Sequence, residues 1–124
     1  MPSVSRTARF GRVLTAMATP FDRDGELDLD GAVRLATELV AAGNDGLVVT
    51  GSTGEATALS DAERTEIWRA VAGAVDAPVL AGSTTADTAH SVKLTRAATA
   101  AGVSGILAVT PYYSRPSQAG LDGH

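Results

Sequence analysis

The sequence predicts an α/β fold with a parallel sheet, and two observations support this prediction. Four short runs rich in Val, Leu, Ile and Ala lie at residues 13–18, 46–50, 78–82 and 105–110. None of them alternates strictly between apolar and polar residues, which is typical of strands buried on both faces of a sheet. Helical patterns separate consecutive runs, and strands that alternate with helices in this way form parallel sheets with right-handed crossovers.

Each of the three intervening segments carries its own helix signals. Asp28 and Asp30 can cap a first helix, which we expect to end near Gly43 because glycine is favoured just after a helix. A capping box that begins at Ser60 starts the second helix. A third helix is expected at residues 88–101. The pattern leaves two architectures open, half of a closed (β/α)8 barrel and an open doubly wound sheet. A complete barrel takes roughly 250 residues, so the 124 residues here can form only part of one.

The composition predicts a folded protein and excludes several classes of site. Apolar residues make up 44% of the chain and charged residues 19%, proportions that are typical of folded rather than disordered proteins. The net charge of −4 argues against a nucleic-acid partner, and the absence of cysteine excludes disulfides and thiolate metal sites. The two histidines, His90 and His124, are too few and too far apart for a zinc site, so no metal is expected.

The first residues carry Arg6, Arg9 and Arg12 but lack the apolar stretch of a signal peptide. We therefore expect a basic N-terminal tail at residues 1–12 and one domain at residues 13–124. No run approaches the roughly 18 apolar residues of a membrane-spanning helix. The sequence thus predicts a cytoplasmic protein with no membrane partner.

Chemistry in parallel α/β folds lies at the carboxyl ends of the strands, and the loop after the second run is the most informative one. Residues 51–55 (GSTGE) place two glycines around the hydroxyls of Ser52 and Thr53. Glycine permits close approach of a ligand, and hydroxyls beside free N–H groups form a small anion site suited to a carboxylate. The residues alone leave open a polar turn that binds no ligand.

Three other features bear on chemistry. Tyr112 and Tyr113, the only tyrosines, lie side by side in a proline-flanked loop. Their phenols can relay a proton or bind a substrate, and the pair can equally pack across an interface. Lys93 is the only lysine in these residues, and we interpret it as a surface residue of the third helix, since a Schiff-base lysine needs a desolvated position near the substrate. His90, in the first turn of the same helix, is interpreted as a surface or subunit-contact residue.

In their order and spacing these loops resemble the dihydrodipicolinate synthase/N-acetylneuraminate lyase family of class I aldolases. The matching segments are residues 19–21 (TPF), 51–55 (GSTGE), 81–82 (AG), 88–92 (TAHSV) and 109–118 (VTPYYSRPSQ). The resemblance implies a partial (β/α)8 TIM barrel, about the first four βα units of a usually tetrameric enzyme. It also implies condensation of pyruvate with aspartate semialdehyde in lysine and diaminopimelate biosynthesis. Pyruvate would form a Schiff base with a lysine on a later strand, and no cofactor is implied.

The resemblance also implies roles for individual residues. Ser52 and Tyr113 match the hydroxyl groups of a proton relay, and Thr53 with Gly54 matches the segment that binds the pyruvate carboxylate. Tyr112 matches a tyrosine that reaches across a subunit boundary.

Some matching positions belong to the region of the family's allosteric lysine pocket, namely Tyr112, Ala86 and His90. Ala86 stands where the family typically carries an asparagine that lines this pocket, so feedback inhibition by lysine is not predicted. Asp61 and Arg64 stand where some lysine-sensitive members carry histidines.

Three hypotheses follow from the residues and the resemblance. The Schiff-base lysine would follow residue 124, so the first hypothesis is a truncated synthase that is inactive on its own. The second is another pyruvate-type aldolase, because Ser52 replaces the usual threonine and the GSTGE loop also resembles the N-acetylneuraminate lyase branch. The third is a non-catalytic half-barrel that binds a small carboxylate or assembles with another copy. The paired tyrosines favour the synthase.

Overall fold

A computed structural model describes residues 8–124, so residues 1–7 of the expected tail lie outside the described part of the chain. Four strands form one parallel sheet in the order β1-β2-β3-β4. The strands are β1 (Leu14–Ala16), β2 (Gly46–Val49), β3 (Val79–Gly82) and β4 (Gly105–Leu107). The predicted parallel α/β sheet is confirmed. The two edge strands are shorter than the runs that predicted them, because each pairs with a neighbour on one side only within the described residues.

The helices are α1 (Leu29–Ala41), α2 (Asp61–Ala74), α3 (Thr88–Ala100) and α4 (Gln118–Gly123), with a 3₁₀ turn at Ala56–Ala58. Asp28 and Ser60 cap α1 and α2 as expected, since each side chain accepts the N–H group of the third residue of its helix. Gly43 follows α1 with a φ of 106°, a conformation that favours glycine. The sequence patterns did not predict α4, which Ser117 caps. No helix in residues 8–124 combines the length and apolar character needed to span a membrane.

The strand order decides between the two architectures that the sequence left open. A doubly wound sheet reverses direction at a switch point, which places strands distant in sequence beside each other. Every strand here pairs with its neighbour in sequence. Helix α1 packs against α2 and α2 against α3, so these helices form one layer, as expected for consecutive units of a (β/α)8 barrel.

The core lies between this helix layer and the two central strands. Strands β2 and β3 are buried along their whole length, whereas β1 and β4 are partly exposed. Helix α2 contributes Ile67, Trp68 and Val71, which are fully buried. The prediction of burial on both faces is therefore confirmed for β2 and β3 and wrong for the edge strands. The loops that follow β2 and β3 extend from the most deeply buried part of the sheet.

Asp45 ties the start of β1 to the start of β2. Its carboxylate accepts the N–H groups of Arg12 at 2.7 Å and Val13 at 2.8 Å. These two hydrogen bonds lower the pKa of Asp45 below its ordinary value of 3.8, and the bond from Val13 has the larger effect. The boundary between tail and domain at residues 12 and 13 stays a prediction, although Arg12 already contacts the domain.

Replacement of Asp45 by asparagine should destabilise the chain near neutral pH, because an amide oxygen accepts hydrogen bonds more weakly than a carboxylate. The folded-state pKa of Asp45 is lowered, so its stabilisation is present above the unfolded-state value of 3.8 and is lost as the pH falls through the lower folded-state pKa. Urea unfolding of both chains, followed by circular dichroism, should therefore show a difference that shrinks below about pH 4.

The control for this experiment is Asp76→Asn, which removes an exposed carboxylate that makes no hydrogen bond with any described residue. An equal effect of both substitutions, or a difference between Asp45→Asn and the wild type that does not change with pH, would contradict the role given to Asp45.

Candidate functional site

The candidate site lies at the carboxyl ends of β2 and β3, where Thr50 has an uncommon backbone conformation. Thr50 follows β2 directly and has a φ of 57°, although its side chain is almost fully buried. The left-handed region costs a β-branched residue about 1–3 kcal/mol. The contacts around Thr50 must supply enough stabilisation to hold it there.

A buried hydrogen-bond network holds Thr50 in place. Trp68 on α2 donates its indole Nε1–H to Oγ1 of Thr50 at 2.7 Å. The Thr50 hydroxyl lies 3.0 Å from the carbonyl oxygen of Gly82 and 2.7 Å from that of Val49, and it can donate to either one. Helix α2 and strand β3 therefore fix the direction in which the chain enters residues 51–55.

Gly82, the last residue of β3, is required by the close approach of this chain segment. An ideal Cβ atom at Gly82 would lie 2.7 Å from the carbonyl carbon of Thr50 and 2.9 Å from the nitrogen of Gly51. It would also overlap the carbonyl oxygen of Thr50. Only glycine allows β3 to pack directly against the start of the loop.

Residues 51–55 turn back on themselves, and a neighbouring loop supports them. The N–H of Glu55 donates to the carbonyl oxygen of Ser52 at 3.1 Å. Thr19, in the loop after β1, donates its hydroxyl to the carbonyl oxygen of Gly54 at 2.6 Å. Gly54 is buried by this contact, whereas Ser52 and Glu55 remain exposed. The loop is thus fixed at both ends and open to solvent in its middle.

The middle of this loop offers hydrogen-bond donors. None of the hydrogen bonds formed among residues 8–124 uses the N–H groups of Ser52, Thr53 or Gly54. The side chains of Ser52 and Thr53 are exposed beside them. Consecutive free N–H groups with adjacent hydroxyls can bind an anion, and a carboxylate matches this set of donors. The carboxylate site expected from the sequence stays a prediction, and these free donors are compatible with it.

A cavity of about 490 Å³ opens beside the loop. Ser52 and Tyr112 both line it, so the structure brings together residues that follow β2 and β4. Thr84, which follows β3, also lines the cavity. Its hydroxyl accepts the N–H of Val109 at 2.6 Å. Tyr113 is 99% exposed and does not belong to the lining. Ser52 and Tyr113, the two residues expected to form the proton relay, therefore do not line the same cavity within the described chain.

Ala86 and His90 lie apart from this cavity. Ala86 is exposed in the loop before α3. The Nε2 atom of His90 lies 2.8 and 2.9 Å from the two carboxylate oxygens of Asp61, which links the first turns of α2 and α3. An allosteric role for these residues stays a prediction. Residues 8–124 contain no cluster of three His, Asp or Glu side chains that could hold a metal ion.

Sequence reasoning missed Arg64 as a lining residue and noted it only as a departure from the family pattern. Arg64 is 6% exposed and faces the cavity. The sequence spacing could have indicated its burial, because Arg64, Trp68 and Val71 recur at i, i+4 and i+7 on the buried face of α2.

The Dihydrodipicolinate synthetase family model matches residues 9–124, and the chain belongs to this family. The chain is 56% identical to the 4-hydroxy-tetrahydrodipicolinate synthase of Acidothermus cellulolyticus, over all of this chain and 41% of that relative. It resembles the crystal structure of a dihydrodipicolinate synthase from Bacillus anthracis with a TM-score of 0.89 and 40% identity, over 93% of this chain and 40% of the other. An N-acetylneuraminate lyase from Mycoplasma synoviae gives a TM-score of 0.85 and 31% identity, over 92% and 40%. The 124 residues thus span about two fifths of the length of their relatives.

Gly82→Ala should lower the free energy of unfolding by about 3 kcal/mol, since the added methyl group overlaps the Thr50 carbonyl. Gly73→Ala is the matched control, because Gly73 lies on α2 with nothing within 4 Å of an added Cβ, and alanine there should stabilise the helix by about 0.5 kcal/mol. Urea unfolding followed by the fluorescence of Trp68, the only tryptophan, measures both variants. A Gly82→Ala chain as stable as the wild type would refute the close approach.

Proposed function

We propose that these residues supply the carboxylate-binding and proton-relay part of a lyase active site. The reaction is the condensation of pyruvate with aspartate semialdehyde through a Schiff base, in lysine and diaminopimelate biosynthesis. The observation that carries this proposal is the set of free N–H groups at Ser52, Thr53 and Gly54 after β2. Membership of the family and the names of the relatives support it. The cytoplasmic location stays a prediction.

Each donor of the loop has a role in this proposal. The N–H groups of Thr53 and Gly54 bind the pyruvate carboxylate, and the Ser52 hydroxyl takes part in proton transfer. Tyr113, with a φ of 69° and 99% exposure, presents its phenol outward from its own protomer. This exposure leaves the phenol of Tyr113 accessible to relay groups that residues 8–124 do not supply. Tyr112, which lines the cavity, is the residue assigned to the subunit boundary of a homo-oligomer in this proposal.

A second candidate is another pyruvate-type aldolase that uses a sugar-derived aldehyde. The likeness to the Mycoplasma synoviae lyase favours it, as does the serine at position 52. Both candidates use the same carboxylate site, so the aldehyde alone distinguishes them.

The 124-residue chain should form no imine with pyruvate, because Lys93, its only lysine, is exposed on α3 and lacks the desolvated position that a Schiff-base lysine needs. Borohydride trapping followed by mass spectrometry should show an unchanged mass, with the Acidothermus cellulolyticus synthase as the positive control. A stoichiometric adduct that Lys93→Arg abolishes would overturn this assignment and give the isolated chain a catalytic lysine.

Residues 9–124 should support catalysis when they replace the matching part of the Acidothermus cellulolyticus synthase. In this chimera Ser52→Ala and Tyr113→Phe should each lower kcat by roughly 10²–10⁴-fold. The KM for pyruvate should change less, because relay groups act on proton transfer rather than on binding. Thr37→Ala removes a hydroxyl of α1 that only bonds the carbonyl of Val33, and it should leave both constants unchanged.

The activity of the chimera also distinguishes the two proposed functions. An unimpaired kcat in either relay variant would refute that assignment. Turnover with a sugar-derived aldehyde but not with aspartate semialdehyde would favour the second candidate over the synthase.

A further inference from the structure

Thr19 is a buried residue just beyond the carboxyl end of β1, and its side chain serves the loop of residues 51–55. It is 6% exposed. The only side-chain hydrogen bond that Thr19 makes within residues 8–124 runs from its hydroxyl to the carbonyl oxygen of Gly54, at 2.6 Å. A buried hydroxyl that spends its single proton on this carbonyl acts on the shape of the loop rather than on a ligand.

The peptide group between Gly54 and Glu55 is held on both of its polar atoms. Its carbonyl oxygen accepts the hydroxyl of Thr19, and its N–H donates to the carbonyl oxygen of Ser52 at 3.1 Å. Glu55, directly after this group, has a φ of 56°, in a region that is costly for a residue with a side chain. The two hydrogen bonds therefore oppose the rotation that would relieve this strain.

Gly54 itself lies against two other segments of backbone. An added Cβ atom would be 3.1 Å from the carbonyl oxygen of Met17, 3.1 Å from the nitrogen of Thr50 and 3.2 Å from Oγ1 of Thr19. These contacts limit where Gly54 can lie, but a glycine can still rotate its peptide groups more freely than any other residue. The direction of its free N–H consequently depends on how its carbonyl group is held.

We propose that Thr19 is a positioning residue of the carboxylate site, which holds the Gly54 carbonyl so that the N–H groups of Thr53 and Gly54 keep one arrangement before a ligand binds. This inference rests on the proposed function, in which those N–H groups bind the pyruvate carboxylate. It adds to that site a residue from the loop after β1. Donors that are already ordered bind more tightly, because less conformational entropy is lost on binding.

Backbone order parameters from ¹⁵N relaxation of the ligand-free 124-residue chain test the positioning. The wild-type Gly54 N–H should have the value of rigid backbone, about 0.85, and Thr19→Val, which keeps the branched shape but removes the hydroxyl, should lower it below about 0.6. Thr19→Ser keeps the hydroxyl and should restore the wild-type value. Thr37→Val is the matched control, since it removes an α1 hydroxyl that bonds the carbonyl of Val33, and it should have no effect.

Pyruvate titrations of the same chains, followed by the amide signals of Thr53 and Gly54, test the consequence for binding. Thr19→Val should weaken the affinity roughly 10-fold, the effect of about one hydrogen bond to a neutral acceptor. Thr19→Ser should bind as the wild type does. Serine lacks the methyl group of threonine, so this rescue separates the hydrogen bond from a role of Thr19 in packing alone.

A wild-type Gly54 N–H that is more mobile than the N–H of Val49 in β2 overturns the proposal without any variant. A folded Thr19→Val chain whose Gly54 order parameter or pyruvate affinity equals that of the wild type also overturns it, while the proposed function stands. A wild-type chain that does not bind pyruvate refutes the proposed function instead, and the order parameters of the ligand-free chains then decide the role of Thr19. The indole signal of Trp68 reports whether each variant is folded.

Discussion

The hydrogen bond from the indole of Trp68 to the hydroxyl of Thr50 joins α2 to the end of β2, and the position of the candidate site depends on it. Without this bond Thr50 would keep only the hydrogen bonds of its hydroxyl to the carbonyl groups of Val49 and Gly82 to offset the cost of its left-handed conformation. Gly82 completes the constraint, because only a residue without a side chain lets β3 pack against this turn.

Helix α2 supports the loop of residues 51–55 and also lines the cavity beside it. Ser60 caps its first turn, Arg64 faces the cavity one turn later, and Trp68 follows after a further turn on the same face. The same helix therefore positions Arg64 at the cavity and Trp68, which supports the start of the loop at residues 51–55. The chain as a whole has a net charge of −4, so the attraction for an anion comes from local donors rather than from the overall field.

The sequence predicted those features that depend on local signals. The parallel sheet followed from the unbroken apolar runs, and the helix starts followed from Asp28 and Ser60, because a side-chain cap acts within three residues of its own position. The sequence indicated a polar loop but not which of its N–H groups are free. Those depend on the φ of Thr50, which Trp68 supports from a distant position in the chain. The burial of Arg64 was not predicted, because a charged residue is not expected on the buried face of a helix. Tyr113 is 99% exposed and has a φ of 69°, a conformation that non-glycine residues seldom adopt and that the sequence did not indicate.

We propose that residues 52–54 bind a carboxylate through their backbone, independently of any lysine. A titration of the ¹⁵N-labelled 124-residue chain with pyruvate, followed by amide chemical shifts, tests it most directly. Saturable downfield shifts of the Thr53 and Gly54 N–H signals are expected, while the Trp68 indole signal stays in place. Saturable shifts confined to other parts of the chain would refute carboxylate binding by residues 52–54, as would no response from a chain whose Trp68 signal shows that it is folded.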